Sequence, residues 1–241
     1  MLDKDSRMPL YSQLMDKLIY DIENNMKEND KLPSEREICE IYNVSRTTVR
    51  QAISELETEG YIYKEQGKGT FVAGKKFDQQ LVGFYSFTEE MKKLGKKPTS
   101  KVLRFEIVAS SNEIAKKMKL QNKQLVYKFT RLRLADGEPM MIETTYVPYD
   151  AFPGITKDDL NKIALYEILR DRFNERIEYA EEVFLPVLTN EDEAKKINVA
   201  VGSPSLKITR YTYNKNNRII EYTVSIARGD KFKYSLKLLR N

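Results

Sequence analysis

Residues 32–72 read LPSEREICEIYNVSRTTVRQAISELETEGYIYKEQGKGTFV. Ser34 stands before a short apolar-periodic run with Glu37 three residues on, the pattern of a capping box, and predicts a helix over 35–42. Asn43 suits the left-handed position of a tight turn. Ser45 caps a second helix over 46–59, which turns Val49, Ala52, Ile53 and Leu56 to one side and ends at Gly60. Two strand-like runs, 61–64 and 70–72, flank a turn containing Gly67 and Gly69, as in a hairpin. Upstream, residues 9–26 put apolar side chains at 11, 14, 15, 18, 19, 22 and 26 on one helical face. Helix, helix-turn-helix and hairpin, in that order, predict a winged helix-turn-helix over residues 1–74.

The chemistry of this stretch suits DNA. Arg46, Thr47 and Arg50 lie in the first turns of the second helix, the end that enters the major groove in such motifs. Arg46 and Arg50 are four apart and share a face, and residues 46–50 contain no acid. An arginine can grip guanine O6 and N7 together, which discriminates by about 1–3 kcal/mol. Ser45 and Thr47 suit phosphate oxygens, and Arg36 reaches out from the first helix. Taken singly, these arginines read equally well as solvated helix residues and the glycines as turn formers. Together, LPSER (32–36), VSRTTVR (44–50) and GKGTFV (67–72) resemble the GntR superfamily in order and spacing. The resemblance implies DNA contacts by Ser34, Arg36, Ser45, Arg46, Thr47, Thr48, Arg50, Gly67, Lys68, Gly69 and Thr70, with the wing tip at the minor groove. It also implies a homodimer on a near-palindromic double-stranded operator, since one winged helix reads too short a site.

Composition bounds the alternatives. The chain has 241 residues, 41% hydrophobic and 32% charged, enough for two modest globular domains. It has no histidine and one cysteine, Cys39, which excludes an internal disulfide, the usual zinc sites, and Ser-His-Asp or Cys-His catalysis. A carboxylate or lysine enzyme is not excluded by composition. No cofactor or metal is expected. No apolar run reaches the roughly 20 residues of a membrane span, the first residues lack a signal-peptide core, and a reducing cytoplasm is the expected location. The net charge is +5, yet residues 1–74 hold 10 Lys and Arg against 14 Asp and Glu. The positive excess lies in the remainder, where it either attracts an anionic ligand or forms a solvated lysine-rich surface.

Residues 75–82 are polar with weak periodicity and read as a linker. From 83 to 241 the pattern is α+β. Strands are expected at 100–109, 124–134, 140–147, 177–188, 205–214 and 218–227. Helices are expected at 87–94, 111–119, 158–173 and 190–197. Asp136-Gly137 and Asn214 to Asn217 are turn signals. Neighbouring strands joined by short turns predict a mainly antiparallel sheet with packed helices. No internal repeat is visible.

Within this part, Ser86 opens a helix beside Phe87 and Thr88, either as a plain N-cap or as part of an anion site. Arg131 and Arg133 point to one strand face and repel unless an anion or carboxylates lie between them; a surface or intramolecular ion pair is the equal alternative to a ligand. A strict two-residue turn at Asp136-Gly137 turns Glu143 away from them, whereas a bulge brings it to their face. GFYSFTEEMKKLG (83–95), TRLRLADGEPMMIETTY (130–146) and IEYTVSIARGDKF (220–232) resemble the effector domain of the HutC subfamily, the UTRA domain with its chorismate-lyase-like fold. That resemblance implies a small-molecule effector held by Ser86, Phe87, Thr88, Arg131, Arg133, Glu143, Tyr166, Glu221 and Arg228, although Arg228 can equally pair with Asp230. Ala227 departs from the aromatic found in relatives that bind amino-sugar phosphates. The segments are most similar to regulators of amino-sugar use, which implies a phosphorylated sugar such as glucosamine 6-phosphate or N-acetylglucosamine 6-phosphate. Two other readings stay open: a second domain that only dimerises, and an enzyme on a lyase-like fold.

Overall fold

The computed structural model describes residues 2–3, 6–74, 76–81 and 83–238. The chain forms two compact units, 1–77 and 78–241.

In the first unit, helices α1 (Leu10–Asn25), α2 (Glu35–Tyr42) and α3 (Arg46–Thr58) precede a hairpin of β1 (Ile62–Glu65) and β2 (Gly69–Val72). The expected caps are present. Ser34 and Glu37 form a reciprocal capping box, Asn43 is left-handed with φ 50°, and Ser45 accepts from the Thr48 amide. Leu14, Leu18, Ile22, Ile38, Val49, Ile53, Leu56, Ile62 and Val72 make one core. Residues 29–32 add to the hairpin: the Leu32 amide donates to Thr70 O at 2.9 Å and the Val72 amide to Asp30 O at 2.9 Å.

Strand β3 (Phe77–Gln80) begins on the last residue of the first unit, and the second unit continues with α4 (Phe87–Lys93), β4 (Pro98–Ala109), α5 (Asn112–Met118), β5 (Leu125–Ala135), β6 (Glu138–Pro148), α6 (Lys157–Lys162), α7 (Leu165–Phe173), β7 (Ile177–Leu188), α8 (Glu191–Ile197), β8 (Pro204–Asn214), β9 (Ile219–Arg228) and β10 (Phe232–Ser235). Strands β4 to β9 form a six-stranded sheet in the order β4-β5-β6-β9-β8-β7, antiparallel throughout. One face packs Val102, Tyr127, Phe129 and Val147 against Phe152, Leu160, Leu165, Ile168 and Leu169 from α6, α7 and the loop before them. On the opposite face, Ile114 and Met118 of α5 pack with Tyr213, Ile219 and Tyr222.

Three expectations change. The linker read at 75–82 contains a strand, since Phe77–Gln80 pairs with β10; Lys75 and Val82 lie outside the described residues. Both strands have four residues, too few to show a period. The single helix expected over 158–173 is two helices, broken where Ile163 and Ala164 are extended. The break lets Leu160 and the Leu165–Leu169 face reach one core.

The third correction concerns repeats. The sheet order is that of two β-α-β-β units, β4-α5-β5-β6 and β7-α8-β8-β9, meeting at β6 and β9 about an approximate dyad. Thr145 and Thr223 pair across this seam, with their hydroxyl oxygens 2.9 Å apart. Thr130-Arg131 of β5 corresponds to Thr209-Arg210 of β8, and Ala115-Lys116-Lys117 of α5 to Ala194-Lys195-Lys196 of α8.

Because each unit has its own core, Leu56→Ala should cost the first unit about 2–5 kcal/mol. Calorimetry should show one transition moving down and the transition of the second unit unmoved. A common shift of both would mean that they unfold together.

Candidate functional site

In the first unit, Arg46, Thr47 and Arg50 are exposed on α3, and neither arginine has a carboxylate partner among the described residues. Ser45 and Thr48 are committed to the cap, their hydroxyls 2.9 Å apart. The Ser34 hydroxyl is likewise used by the Glu37 amide. Arg36 is exposed and bonded to Glu40 at 3.1 Å, an i,i+4 pair that solvent weakens. At the wing tip, Gly67 has φ 76° and Gly69 φ 128°, backbone that side chains resist. The Lys68 ammonium lies 2.9 Å from Glu65, whose carboxylate holds it above the usual lysine range. Thr70 is half-buried in β2. Lys31 escaped the sequence reading. It bridges to Phe71, and a Cβ on Gly69 would meet its Cε at 2.7 Å, so its chain lies across the wing.

In the second unit, the polar site lies on the α6–α7 face of the sheet. Asp136 and Gly137 are both left-handed, φ 52° and 82°, closing a two-residue turn. The register then slips: Leu134 pairs with Pro139 but Arg133 with Met141, leaving Met140 as a bulge. Arg131 consequently faces Glu143, and the bulged alternative is the one adopted. Arg131 Nη2 is 2.5 Å from Glu143 Oε1, and Arg133 Nη1 is 3.5 Å from the same oxygen. All three side chains are buried. Burial alone would push the Glu143 carboxyl up, but Arg131, Arg133 and Arg210 together hold it below the usual carboxylate range. Burial pulls Arg133 down to about 10, still protonated at neutral pH. Its Nη2 donates to Thr88 Oγ1 at 2.7 Å, and its guanidinium lies 4.9 Å from the Phe87 ring centre. Ser86 caps α4 by accepting from the Glu89 amide at 3.3 Å.

A second cluster adjoins it on the same face. Tyr166 donates to Glu221 Oε2 at 2.5 Å, Thr212 donates to the same oxygen at 2.6 Å, and Thr223 donates to Oε1 at 2.7 Å. Burial and the neighbouring Glu221 push the Tyr166 phenol above its usual range. Arg210 Nη1 donates to Tyr166 Oη at 3.2 Å and to Tyr85 O at 3.0 Å, and its Nε donates to Glu182 at 2.7 Å. Thr212, Thr223, Arg210 and Glu182 were not among the sequence candidates. The Thr-Arg pair shared by β5 and β8 is the signal that could have found Arg210.

Arg228 is corrected. It follows Ala227, which shares the site face, and so projects from the opposite one. There its Nε donates to Asp230 at 3.0 Å and its Nη1 to Glu138 at 3.1 Å, the ion-pair alternative.

The arrangement is unbalanced. Arg210 has Glu182 and Glu221 has three hydroxyls, but Arg131 and Arg133 share one carboxylate. Arg131 Nε, Arg131 Nη1 and Arg133 Nε are buried with no hydrogen-bond acceptor among the described residues. Each such buried donor costs about 1–3 kcal/mol, more when charged. The 84–86 segment separates clefts of about 900 Å³, lined by Ser86 and Tyr166, and about 460 Å³, lined by Glu182 and Arg210.

Comparison with known proteins agrees with both halves. Residues 10–72 match the family described as bacterial regulatory proteins, gntR family, and residues 93–233 match the UTRA domain. The HTH-type transcriptional repressor NagR of Bacillus subtilis (strain 168) is 35% identical, over 97% of this chain and 96% of its own. A probable fructoselysine utilization operon transcriptional repressor of Escherichia coli (strain K12) is 26% identical over 97% and 96%. The crystal structure of PhnF from Mycobacterium smegmatis matches with a TM-score of 0.69 at 26% identity, covering 95% of this chain and 100% of that one. Such relatives are regulators and not enzymes. The chain belongs to the GntR family of bacterial transcription regulators, in its HutC group, with a UTRA domain following the winged helix-turn-helix.

Proposed function

We propose that the protein is a cytoplasmic repressor that binds a near-palindromic operator as a homodimer and is released by a small anionic metabolite. The observation that carries the effector class is the set of buried guanidinium N–H groups on Arg131 and Arg133 without an acceptor. A phosphate or carboxylate supplies several acceptor oxygens and a compensating charge. Phe87 and Thr88 border Arg133, and Ser86 opens the same helix. Tyr166 and Glu221 at the neighbouring cluster suit sugar hydroxyls. A sugar phosphate meets both requirements, with glucosamine 6-phosphate and N-acetylglucosamine 6-phosphate as leading candidates on resemblance. Arg46 and Arg50, exposed and without carboxylate partners among the described residues, read bases from the major groove. Ser45, Thr47, Thr48, Arg36 and the wing residues 67–70 hold the backbone. The effector shifts the dimer between arrangements of its two reading heads.

The decisive experiment is fluorescence anisotropy on a fragment from upstream of the gene, titrated with a panel of sugar phosphates. Release by one compound at micromolar concentration is expected, and binding that no compound disturbs would remove the sugar-phosphate assignment. Arg46→Ala and Arg50→Ala should each weaken operator binding by about 1–3 kcal/mol per lost base contact. Unchanged affinity would remove those residues from the interface.

Arg131→Ala and Arg133→Ala should abolish the rise in melting temperature that the active compound gives the parent protein. Operator affinity without the compound should persist. Glu143→Gln leaves Arg131 buried without its carboxylate, which should destabilise the second unit by about 3–5 kcal/mol, read from denaturant unfolding.

A further inference from the structure

The positive excess of the second unit extends to a face that the effector site does not use. Lys128 and Thr130 alternate with Arg131 on β5, and Lys207 and Thr209 alternate with Arg210 on β8, so these side chains stand on the opposite face of the sheet. Lys128 pairs with Tyr146, and Tyr146 with Tyr222, which packs under α5. A groove of about 790 Å³ lies on this face between α5 and α8. Thr130 and Thr144 form part of its floor, with their hydroxyl oxygens 3.0 Å apart. The internal dyad passes through it. Lys117 of α5 and Lys128 of β5 correspond to Lys196 of α8 and Lys207 of β8, and all four line the groove.

The other half-buried lysines of this unit have partners. Lys96 has Asp136, Lys117 has Glu113, Lys196 has Asp192 and Lys231 has Glu138. Lys128 and Lys207 are also half-buried, yet neither has a carboxylate partner among the described residues. Lys128 lies over the Tyr146 ring, 5.8 Å from its centre. Lys207 acts across the groove on Glu113, whose carboxyl is held below the usual range by Lys117 first and by Lys207 after it. Two other nearby acids are already used: Glu193 accepts from the Asn190 amide in the α8 cap, and Glu106 accepts from Arg104. Glu113 and Asp192 are 72% and 74% exposed, so they hold Lys117 and Lys196 only weakly. The groove is therefore concave, floored by hydroxyls and short of negative charge, which are the marks of a site for an anion.

The spacing of the two lysines narrows the ligand. Strands β6 and β9 lie between β5 and β8, three inter-strand steps that amount to about 14 Å. A single phosphate meets one lysine, whereas an anion charged at each end meets both, and hydroxyls along its length meet Thr130 and Thr144. We propose that this groove is a second small-molecule site, which takes a metabolite carrying a phosphate at each end of a hydroxylated body. It stands back to back with the arginine site, since Arg131 and Glu143 are the chain neighbours of Thr130 and Thr144 and face the other way. The two sites have separate ligands, and this one does not depend on the sugar-phosphate reading above.

The test is isothermal titration of the full chain with fructose 1,6-bisphosphate, with fructose 6-phosphate as the single-phosphate control. Arg133→Ala serves as the background, because it disables the arginine site and keeps the Arg131–Glu143 pair. In that background the bisphosphate should bind, and fructose 6-phosphate should bind at least tenfold more weakly. Adding Lys128→Gln/Lys207→Gln keeps much of both stems, removes both charges and should weaken the bisphosphate at least tenfold. If that protein lacks a thermal transition, Lys128→Gln alone should weaken the bisphosphate at least threefold and reduce its advantage over fructose 6-phosphate. No binding to Arg133→Ala at millimolar bisphosphate overturns the groove as a site, and so does an affinity that the lysine changes leave unmoved. Equal affinity for the two sugars overturns the two-ended ligand. None of these results bears on the arginine site, which is read from the parent protein with its own panel.

Discussion

Two guanidinium groups held two residues apart on one buried strand face repel each other, and the rest of the effector unit is arranged around that constraint. Arg131 and Arg133 are buried, so their charge is met chiefly by groups that the fold supplies. The Met140 bulge does this by shifting β6 one residue against β5, which turns Glu143 from the far face onto the arginine face. Without the shift, Glu143 would stand opposite Thr130, and Arg133 and Arg131 would pair with Met140 and Ile142, with no carboxylate on their face. One carboxylate for two guanidinium groups leaves a positive surplus and three donors without acceptors among the described residues.

The winged helix was legible because its signals are local. Ser34 with Glu37, Ser45, Asn43 and Gly60 act within a turn or two of themselves, and each sits where the sequence placed it. The large strands were legible for the same reason. What escaped depends on distance. Glu182, Arg210 and Thr223 join the site through pairings across β7, β8 and β9, and no local pattern reports such partners. Strands β3 and β10 are held by each other more than by their own composition. Arg228 is a different case. Alternation along β9 puts residues 221, 223, 225 and 227 on one face and 228 on the other, so the strand period already argued against grouping it with Glu221.

The internal repeat was hidden because the two copies differ in sequence outside a few positions. The pieces that set topology persist: the short helices with Ala-Lys-Lys and a left-handed cap, the Thr-Arg pair, and the threonines at the seam. The pieces at the polar cluster and at the sheet edges differ. Arg133 of the first copy corresponds to Thr212 in the second, so one half holds two arginines and the other holds one with its own glutamate. At the edges, an ion pair in the first copy corresponds to two exposed apolar residues in the second. A duplicated sheet thus separates what the architecture needs from what this sequence adds to it.

The same asymmetry fixes the segment that runs into α4. Arg210 holds it at the Tyr85 carbonyl and Arg133 holds it at the Thr88 hydroxyl, so arginines from both halves of the sheet grip the ends of a four-residue stretch. The grips are unequal. Arg210 also has Glu182, and an arriving anion gains little by displacing it. Arg133 has an unsatisfied Nε and only a distant share of Glu143, so an anion bound there would compete with Thr88 for its Nη2. Occupancy of the arginine pair and the position of residues 87–88 are then linked quantities, and each must bias the other by the same free energy.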